Sequence, residues 1–282
     1  MKKAVLLMWI LFLSGVYSQQ NILSARSVSL KDTLFTLHFM GNPVNISIKY
    51  PVDTIRGNLL LLHGWNLPAN EWCEKTTVCK KALDSGFVLI IPDFGKTTYH
   101  YEQYPETILK YRKYPTRKWM YDTLFTHLQN HFGLLIKGEK NFVAGLSTGG
   151  RGAALFALEH PGIFKACAAL SADFDQTKIP DEPINNGYYG SFKKFPDRWA
   201  GRDNIFNRIS EFKVPVFLAH GKKDAVCPFS QTQNFYLRLE KAGDTNAEFF
   251  TTKTDGHNYV FWEKATDKMI SFFMSYTDIK RN

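Results

Sequence analysis

Asn141-Phe142-Val143-Ala144-Gly145-Leu146-Ser147-Thr148-Gly149-Gly150 is an apolar run that ends in Gly-Leu-Ser-Thr-Gly and continues into Arg151-Gly152-Ala153-Ala154-Leu155-Phe156. It reads as a strand, a sharp turn and a helix. A serine on such a turn adopts a strained backbone. Small residues two places to either side let strand and helix close up until the hydroxyl stands clear of the sheet. Gly145 and Gly149 occupy those places. A lone Gly-x-Ser-x-Gly match also arises in loops that merely join two elements, so its weight depends on what the rest of the chain supplies.

Working outward, aliphatic runs alternate with helical patterns. Residues 57–62 and 87–91 are nearly continuous apolar stretches, the pattern of strands covered on both faces of a parallel sheet. Residues 164–171, 214–220 and 247–252 read as further strands. Helices are expected within 71–84 and over 117–132, 149–160, 230–241 and 259–274, with Leu124, Leu128 and Phe132 on one face of the second. Upstream, 27–40 and 43–50 read as an antiparallel edge around the turn Gly41-Asn42-Pro43. The long loop 93–116 carries Tyr99, Tyr101, Tyr104, Tyr111 and Tyr114, for which aromatic packing is the simpler reading and contact with a ligand the alternative. An insertion at 172–212 is placed to form one wall of a pocket, and residues 278–282 read as a polar tail. These patterns predict an α/β architecture, a mostly parallel central sheet with helices on both faces.

At 282 residues with 44% hydrophobic content, the chain suits one large domain, and no linker or repeat divides it. Residues 1–18 are read separately. Lys2 and Lys3 precede an apolar run from Ala4 to Leu13, and Val16-Tyr17-Ser18 offers a cut before Gln19, so a secretory signal peptide is expected, followed by one domain over 19–282. Ten apolar residues rise only about 15 Å as a helix, half of a bilayer's hydrocarbon core, so no stable membrane insertion is expected after the signal is removed. The expected location is the medium or a periplasm. Cleavage removes two lysines and no acids, which lowers the formal charge from +9 to +7. The basic residues are scattered and never interleave with aromatics, which argues against nucleic acid as a partner.

Four cysteines, Cys73, Cys79, Cys167 and Cys227, would be free to oxidise after export. On one helix Cys73 and Cys79 would lie about 9 Å apart along the axis, too far to bond, so a bridge calls for at least one of them in the preceding loop. A bridge between Cys167 and Cys227 is less plausible. No metal-ligand spacing is present, and neither zinc nor a cofactor is called for.

Acyl transfer through a serine needs a base within reach of the hydroxyl and a carboxylate to hold that base in one tautomer. Asp224 in Gly221-Lys222-Lys223-Asp224 and His257 in Gly256-His257 each follow a predicted parallel strand, as Ser147 does. Seventy-seven residues separate Ser147 from Asp224 and 33 separate Asp224 from His257, room for two and one further strand-helix units. Serine, acid and histidine in this chain order match the α/β-hydrolase arrangement. Leu62-His63-Gly64-Trp65-Asn66 closes an earlier strand, where the amide of Trp65, with that of Thr148, would bind a developing oxyanion. His63 itself reads as structural. Asp173 and Asp175 compete with Asp224 for the acid, but lack its tight strand-Gly-x-x-Asp setting. His160 reads as a helix-end residue and His220 as buried at a strand end.

Several stretches resemble the esterase family that includes S-formylglutathione hydrolase (esterase D), feruloyl and other carbohydrate esterases, siderophore esterases and the mycolyltransferases. These are Gly145-Leu146-Ser147-Thr148-Gly149-Gly150-Arg151-Gly152 with Ala153 and Leu155, His160-Pro161, Leu170-Ser171, Gly221 with Asp224, and Gly256-His257 with Phe261-Trp262. Trp119-Met120-Tyr121-Asp122-Thr123-Leu124 is similar to that family's helix before the nucleophile strand. The resemblance covers most of 43–275. It implies nucleophile Ser147, acid Asp224, base His257 and oxyanion amides from Trp65 and Thr148. His63 departs from the formylglutathione and mycolyl branches, and with the export signal this favours an extracellular small-molecule or glycan ester. An acyltransferase, a serine peptidase and a catalytically silent carbohydrate-binding scaffold are the alternatives.

Overall fold

Eight strands hydrogen-bond in the order β1-β2-β4-β3-β5-β6-β7-β8 in a computed structural model that describes residues 31–39, 41–111, 115–243 and 246–277. The signal expected at 1–18, Tyr114 and the tail 278–282 lie outside the described residues. Strands β1 (Thr33–Phe39) and β2 (Asn42–Lys49) form the antiparallel edge, and β2 also runs antiparallel to β4 (Phe87–Asp93). The others, β3 (Gly57–Leu62), β5 (Asn141–Leu146), β6 (Phe164–Leu170), β7 (Val216–Gly221) and β8 (Ala247–Thr252), are parallel to their neighbours. This is the α/β-hydrolase architecture.

The aliphatic runs become strands because both faces of the sheet are covered. Leu60, Leu62, Val88, Ile90 and Val143 point into one apolar core, and Leu59, Leu61, Leu89, Phe142 and Ala144 into the other. The first core is closed by α4 (Thr126–Phe132), α5 (Thr148–Glu159) and α8 (Phe229–Ala242). The second is closed by α1 (Glu71–Lys75), α2 (Val78–Asp84) and α9 (Tyr259–Met274). Each leucine buried in this way stabilises the fold by about 1.5–3 kcal/mol relative to exposure.

Two helices differ from the sequence reading. The helix expected within 71–84 is two, broken at Thr76 and Thr77. There the backbone N–H and hydroxyl of Thr77 donate to Glu263 of α9 at 2.7 Å each. Cys73 and Cys79 therefore both lie in helices and are still bridged, their Cα atoms 5.1 Å apart, because the kink removes the axial separation that one helix would impose. Cys167 and Cys227 are free and buried. The helix expected over 117–132 begins with α3 (Thr116–Trp119), widens into a π-helical stretch at Met120–Phe125 and resumes as α4. The insertion carries α6 (Pro183–Tyr189) and α7 (Pro196–Trp199).

The connections place a topological switch between β3 and β5. The chain leaves β3 for β4 on one side, while β5 lies on the other, with Leu62 beside Gly145 in the register. Loops leaving the C-terminal ends of strands at a switch frame the crevice in which open α/β sheets bind ligands. Here those loops carry Trp65 and Ser147.

Candidate active site

Ser147 joins β5 to α5 with φ 56° and ψ −126°, a left-handed conformation that costs a non-glycine residue of order 1–3 kcal/mol. The turn closes because neither glycine beside it carries a side chain. A Cβ at Gly145 would lie 2.1 Å from the carbonyl oxygen of Gly149, and one at Gly149 would lie 2.2 Å from that of Leu62 on β3. The Ser147 N–H donates to Leu170 O at 2.8 Å, which fixes the turn to β6. Among the described residues its hydroxyl makes no protein hydrogen bond.

Asp224 and His257 meet directly. The turn after β7 and the loop after β8 are tied by Lys223 N–H donating to Asp255 O at 3.0 Å. Across them Nδ1 of His257 donates to Oδ2 of Asp224 at 2.7 Å. Oδ1 of the same carboxylate accepts the backbone N–H groups of Val226 (2.9 Å) and Cys227 (2.8 Å). Burial would raise the Asp224 pKa, but hydrogen bonds from His220 and His257 outweigh it and hold the carboxyl well below the usual range. The His257 ring stands edge-on to Trp262, centroids 5.3 Å apart, and Trp262 Nε1 donates to Ser171 Oγ at 3.1 Å, immediately beyond Leu170. This chain of contacts links the histidine loop to the strand end that holds Ser147. Nε2 of His257 has no protein hydrogen bond among the described residues.

Two amides point to the same place in the sequence reading, those of Trp65 and Thr148. Neither donates to a protein acceptor among the described residues, while their neighbours do: Asn66 N–H to Gly95 O and Gly150 N–H to Ser147 O. A Cβ placed on Gly64 would lie 3.2 Å from that of Ser147, so the β3 exit abuts the serine turn. Thr148 also opens α5, where the helix dipole adds positive potential. His63 holds this exit: its Nε2 accepts Phe94 N–H at 2.9 Å, so Nδ1 carries the hydrogen given to Gly64 O at 2.7 Å. Burial lowers its pKa and favours this neutral form.

A cavity of about 390 Å³ opens beside Ser147 and Thr148. Ile179, Pro180 and Ile184 of the insertion and Val226 and Pro228 after β7 give it apolar walls. The buried Arg151 also lines it and donates to Asp173 at 2.7 Å and Asn185 at 3.1 Å. That ion pair occupies Asp173, and Asp175 accepts from Thr177 and Asn204, so neither competing acid contacts His257. The tyrosine loop packs: Tyr99 is fully buried and donates to His63 O, and Tyr111 stacks on Tyr188 and meets the edge of Trp65. His160 caps α5 and stacks on Tyr121. His220 is buried at the end of β7, as read, but sequence reasoning missed its contact with Oδ2 of Asp224 at 3.1 Å. The signal was its place four residues before the acid. No described helix is long and apolar enough to cross a membrane.

A model of the prolyl oligopeptidase family matches residues 79–279. A poly(3-hydroxyoctanoate) depolymerase of Pseudomonas fluorescens is 23% identical over 211 residues, 75% of this chain and 66% of that protein, so the match spans slightly under two thirds of its length. Among solved structures, an S-formylglutathione hydrolase from Agrobacterium tumefaciens superposes with a TM-score of 0.72 at 18% identity, covering 88% of this chain and 95% of that one. The fluorophosphonate-binding serine hydrolase F of Staphylococcus aureus does so with 0.67 at 19%, covering 86% and 99%. At these identities the structural likeness is one of fold.

Proposed function

The chain belongs to the prolyl oligopeptidase family, and from that premise we propose that it is a secreted serine esterase that cleaves carboxylic esters through an acyl-enzyme. The observation that carries this reading is Ser147, held at φ 56° on the switch-point turn, on the same sheet edge as a 2.7 Å Asp224–His257 hydrogen bond. Ser147 Oγ attacks the ester carbonyl while His257 Nε2 takes its proton, and the same imidazole then protonates the departing alcohol. Asp224 keeps the imidazole hydrogen on Nδ1 and offsets the charge the ring acquires. The amides of Trp65 and Thr148 donate to the tetrahedral oxyanion, each worth about 3 kcal/mol of barrier by comparison with characterised hydrolases. Water repeats the cycle on the acyl-enzyme. The apolar cavity beside the serine suits an aliphatic or aromatic group, and small-molecule esters fit it better than a charged polymer.

A fluorophosphonate probe tests the site: wild type is expected to label and turn over short-chain aryl esters, and Ser147→Ala to do neither. Labelling that persists in the alanine variant would remove Ser147 as the nucleophile. The family match favours a second reading, a peptidase on the same site. A panel pairing each aryl ester with its matching anilide and peptide separates the two, since faster amide turnover at equal concentration would replace the first reading. Product analysis with added glycerol or sugar separates hydrolysis from acyl transfer. N-terminal sequencing of protein recovered from the medium or periplasm tests removal of residues 1–18.

A further inference from the structure

Asp224 is gripped by two histidines. His257 takes Oδ2 from the loop after β8, and His220, the fifth residue of β7, approaches the same oxygen from inside the fold, its Nε2 at 3.1 Å. Both the His220 side chain and the Asp224 carboxylate are fully buried, so no solvent competes for the contact. The neighbours of the ring decide its tautomer. Nε2 faces only acceptors, Asp224 Oδ2 and the Cys227 carbonyl at 3.0 Å, so it must carry a hydrogen. Nδ1 lies 2.7 Å from the Thr232 hydroxyl, which also lies 3.2 Å from Ala172 O. The Thr232 hydroxyl donates to that carbonyl, and its oxygen faces Nδ1 and holds the ring in place. A line of contacts thus runs from Thr232 on α8 through His220 to Asp224, whose Oδ2 accepts from His220 on one side and from His257 on the other.

Resting on the serine-hydrolase reading of this site, we propose that His220 is a positioning residue: its Nε2–H fixes Oδ2 of Asp224 where that oxygen can hold Nδ1–H of His257. Oδ1 is anchored by two backbone amides, and these alone leave the carboxylate free to rock about that oxygen. A buried donor on the far side of Oδ2 removes this freedom. Without it the imidazole would lose its fixed tautomer and its direction toward Ser147, although nothing touching substrate had changed. His220 lies on a strand, and strands hold such supports more precisely than loops do.

Three variants test this: His220→Leu, which cannot donate, His220→Gln, whose amide can, and Thr232→Val, which leaves Nδ1 without its partner. In His220→Leu kcat is expected to fall about 10- to 100-fold, the weight of one hydrogen bond to a charged group, with KM nearly unchanged. His220→Gln should recover most of the loss, and Thr232→Val should lose severalfold. The far-downfield proton resonance of the His257–Asp224 hydrogen bond should shift or broaden in His220→Leu and persist in His220→Gln. The proposal is overturned if His220→Leu keeps the wild-type kcat and resonance. It is also overturned if His220→Leu and His220→Gln are equally impaired while both melt as wild type, since shape alone would then explain the loss. Should His220→Leu fail to fold, a Thr232→Val variant with wild-type kcat and resonance overturns it instead. Fluorophosphonate labelling separates the two levels: no labelling of wild type removes the reading of the site, whereas equal labelling rates for wild type and His220→Leu remove only the role of His220.

Discussion

Replacing Gly149 by alanine tests the serine turn and the two amides together. A Cβ at this position would lie 2.2 Å from Leu62 O and 2.5 Å from His63 O. Carbon and oxygen settle at about 3.3 Å or more, so the start of α5 and the end of β3 must part by roughly 1 Å. Both clashing atoms are backbone carbonyls, one on the last residue of a strand buried on both faces and one on the residue after it, so no side-chain rotation relieves the contact. The Thr148 amide moves with α5, and the Trp65 amide stays with β3. A gap of about 1 Å between the donors, which must sit some 2.7–3.1 Å from one oxyanion, weakens at least one of them, and kcat should fall roughly 100-fold or more. Gly150→Ala is the control. Its Cβ would meet Ala172 Cβ at 3.0 Å and both Gly145 O and Leu170 N at 3.1 Å, so its neighbours need give by only a few tenths of an ångström. Initial rates on an aryl ester, with thermal melts to count folded protein, decide the matter. If folded Gly149→Ala keeps kcat within threefold of wild type, or if Gly150→Ala loses as much as Gly149→Ala, the pairing of Trp65 and Thr148 amides across the β3–α5 contact is refuted.

Buried His100 has no hydrogen-bond partner on either ring nitrogen among the described residues, and burial pushes its pKa from 6.5 down to about 4. The folded chain therefore binds its proton less well than the unfolded chain. This contribution to stability is full above about pH 6.5 and is lost as pH falls toward 4; by linkage it drops by about 2 kcal/mol between pH 7 and 5. Burial lowers the His63 and His160 pKa values as well, so urea unfolding at those two pH values should show a loss about 2 kcal/mol smaller in His100→Phe than in wild type; an equal loss in both would contradict it. Glu159 accepts from Arg117, Arg202 and Arg208, and although burial opposes them these arginines hold its pKa down to about 2. Its contribution is present above about pH 4.5 and lost as pH falls through 2, and Glu159→Gln, which leaves the fully buried Arg117 half-paired, should cost about 3–5 kcal/mol in denaturant titrations at pH 7. Cys73 and Cys79 close a loop of six-residue separation, so reducing them, or making Cys73→Ser with Cys79→Ser, should lower unfolding free energy by about 2 kcal/mol in chain-entropy terms. An unchanged denaturation midpoint would mean that α1 and α2 hold their kink without the bridge.

The sheet was legible because each parallel strand is buried on both faces, and a run such as Gly57–Leu62 has no other economical home. The ends of β8 and α9 coincide with the bounds read from residues alone. The break between α1 and α2 was not legible, because it is set by Glu263, 186 residues downstream, capturing the amide and hydroxyl of Thr77. The local mark is slight, the Thr76 hydroxyl that donates to Trp72 O and accepts Val78 N–H. The π-helical turns at Met120–Phe125 were equally hidden; they carry Tyr121, whose ring stacks on His160 from the far end of α5. Local pattern specifies which residues are helical, and distant partners specify where the helix bends.

The choice between Asp173 and Asp224 shows the same division inside the site. Both acids follow parallel strands on the edge that holds Ser147, so chain order and topology admit either. Arg151 on α5 decides it. A guanidinium with 1% of its side chain exposed requires a counter-charge, and Asp173 is the carboxylate it reaches, at 2.7 Å. With Asp173 paired to Arg151, Asp224 is the carboxylate left to face His257, and its own burial is tolerable because four donors surround its two oxygens. The residue that sets which carboxylate meets His257 is thus neither of the two partners in that bond. It is an arginine four places after the serine, on the helix that the serine turn begins, so one stretch of sequence both raises the hydroxyl and removes the competitor of the acid.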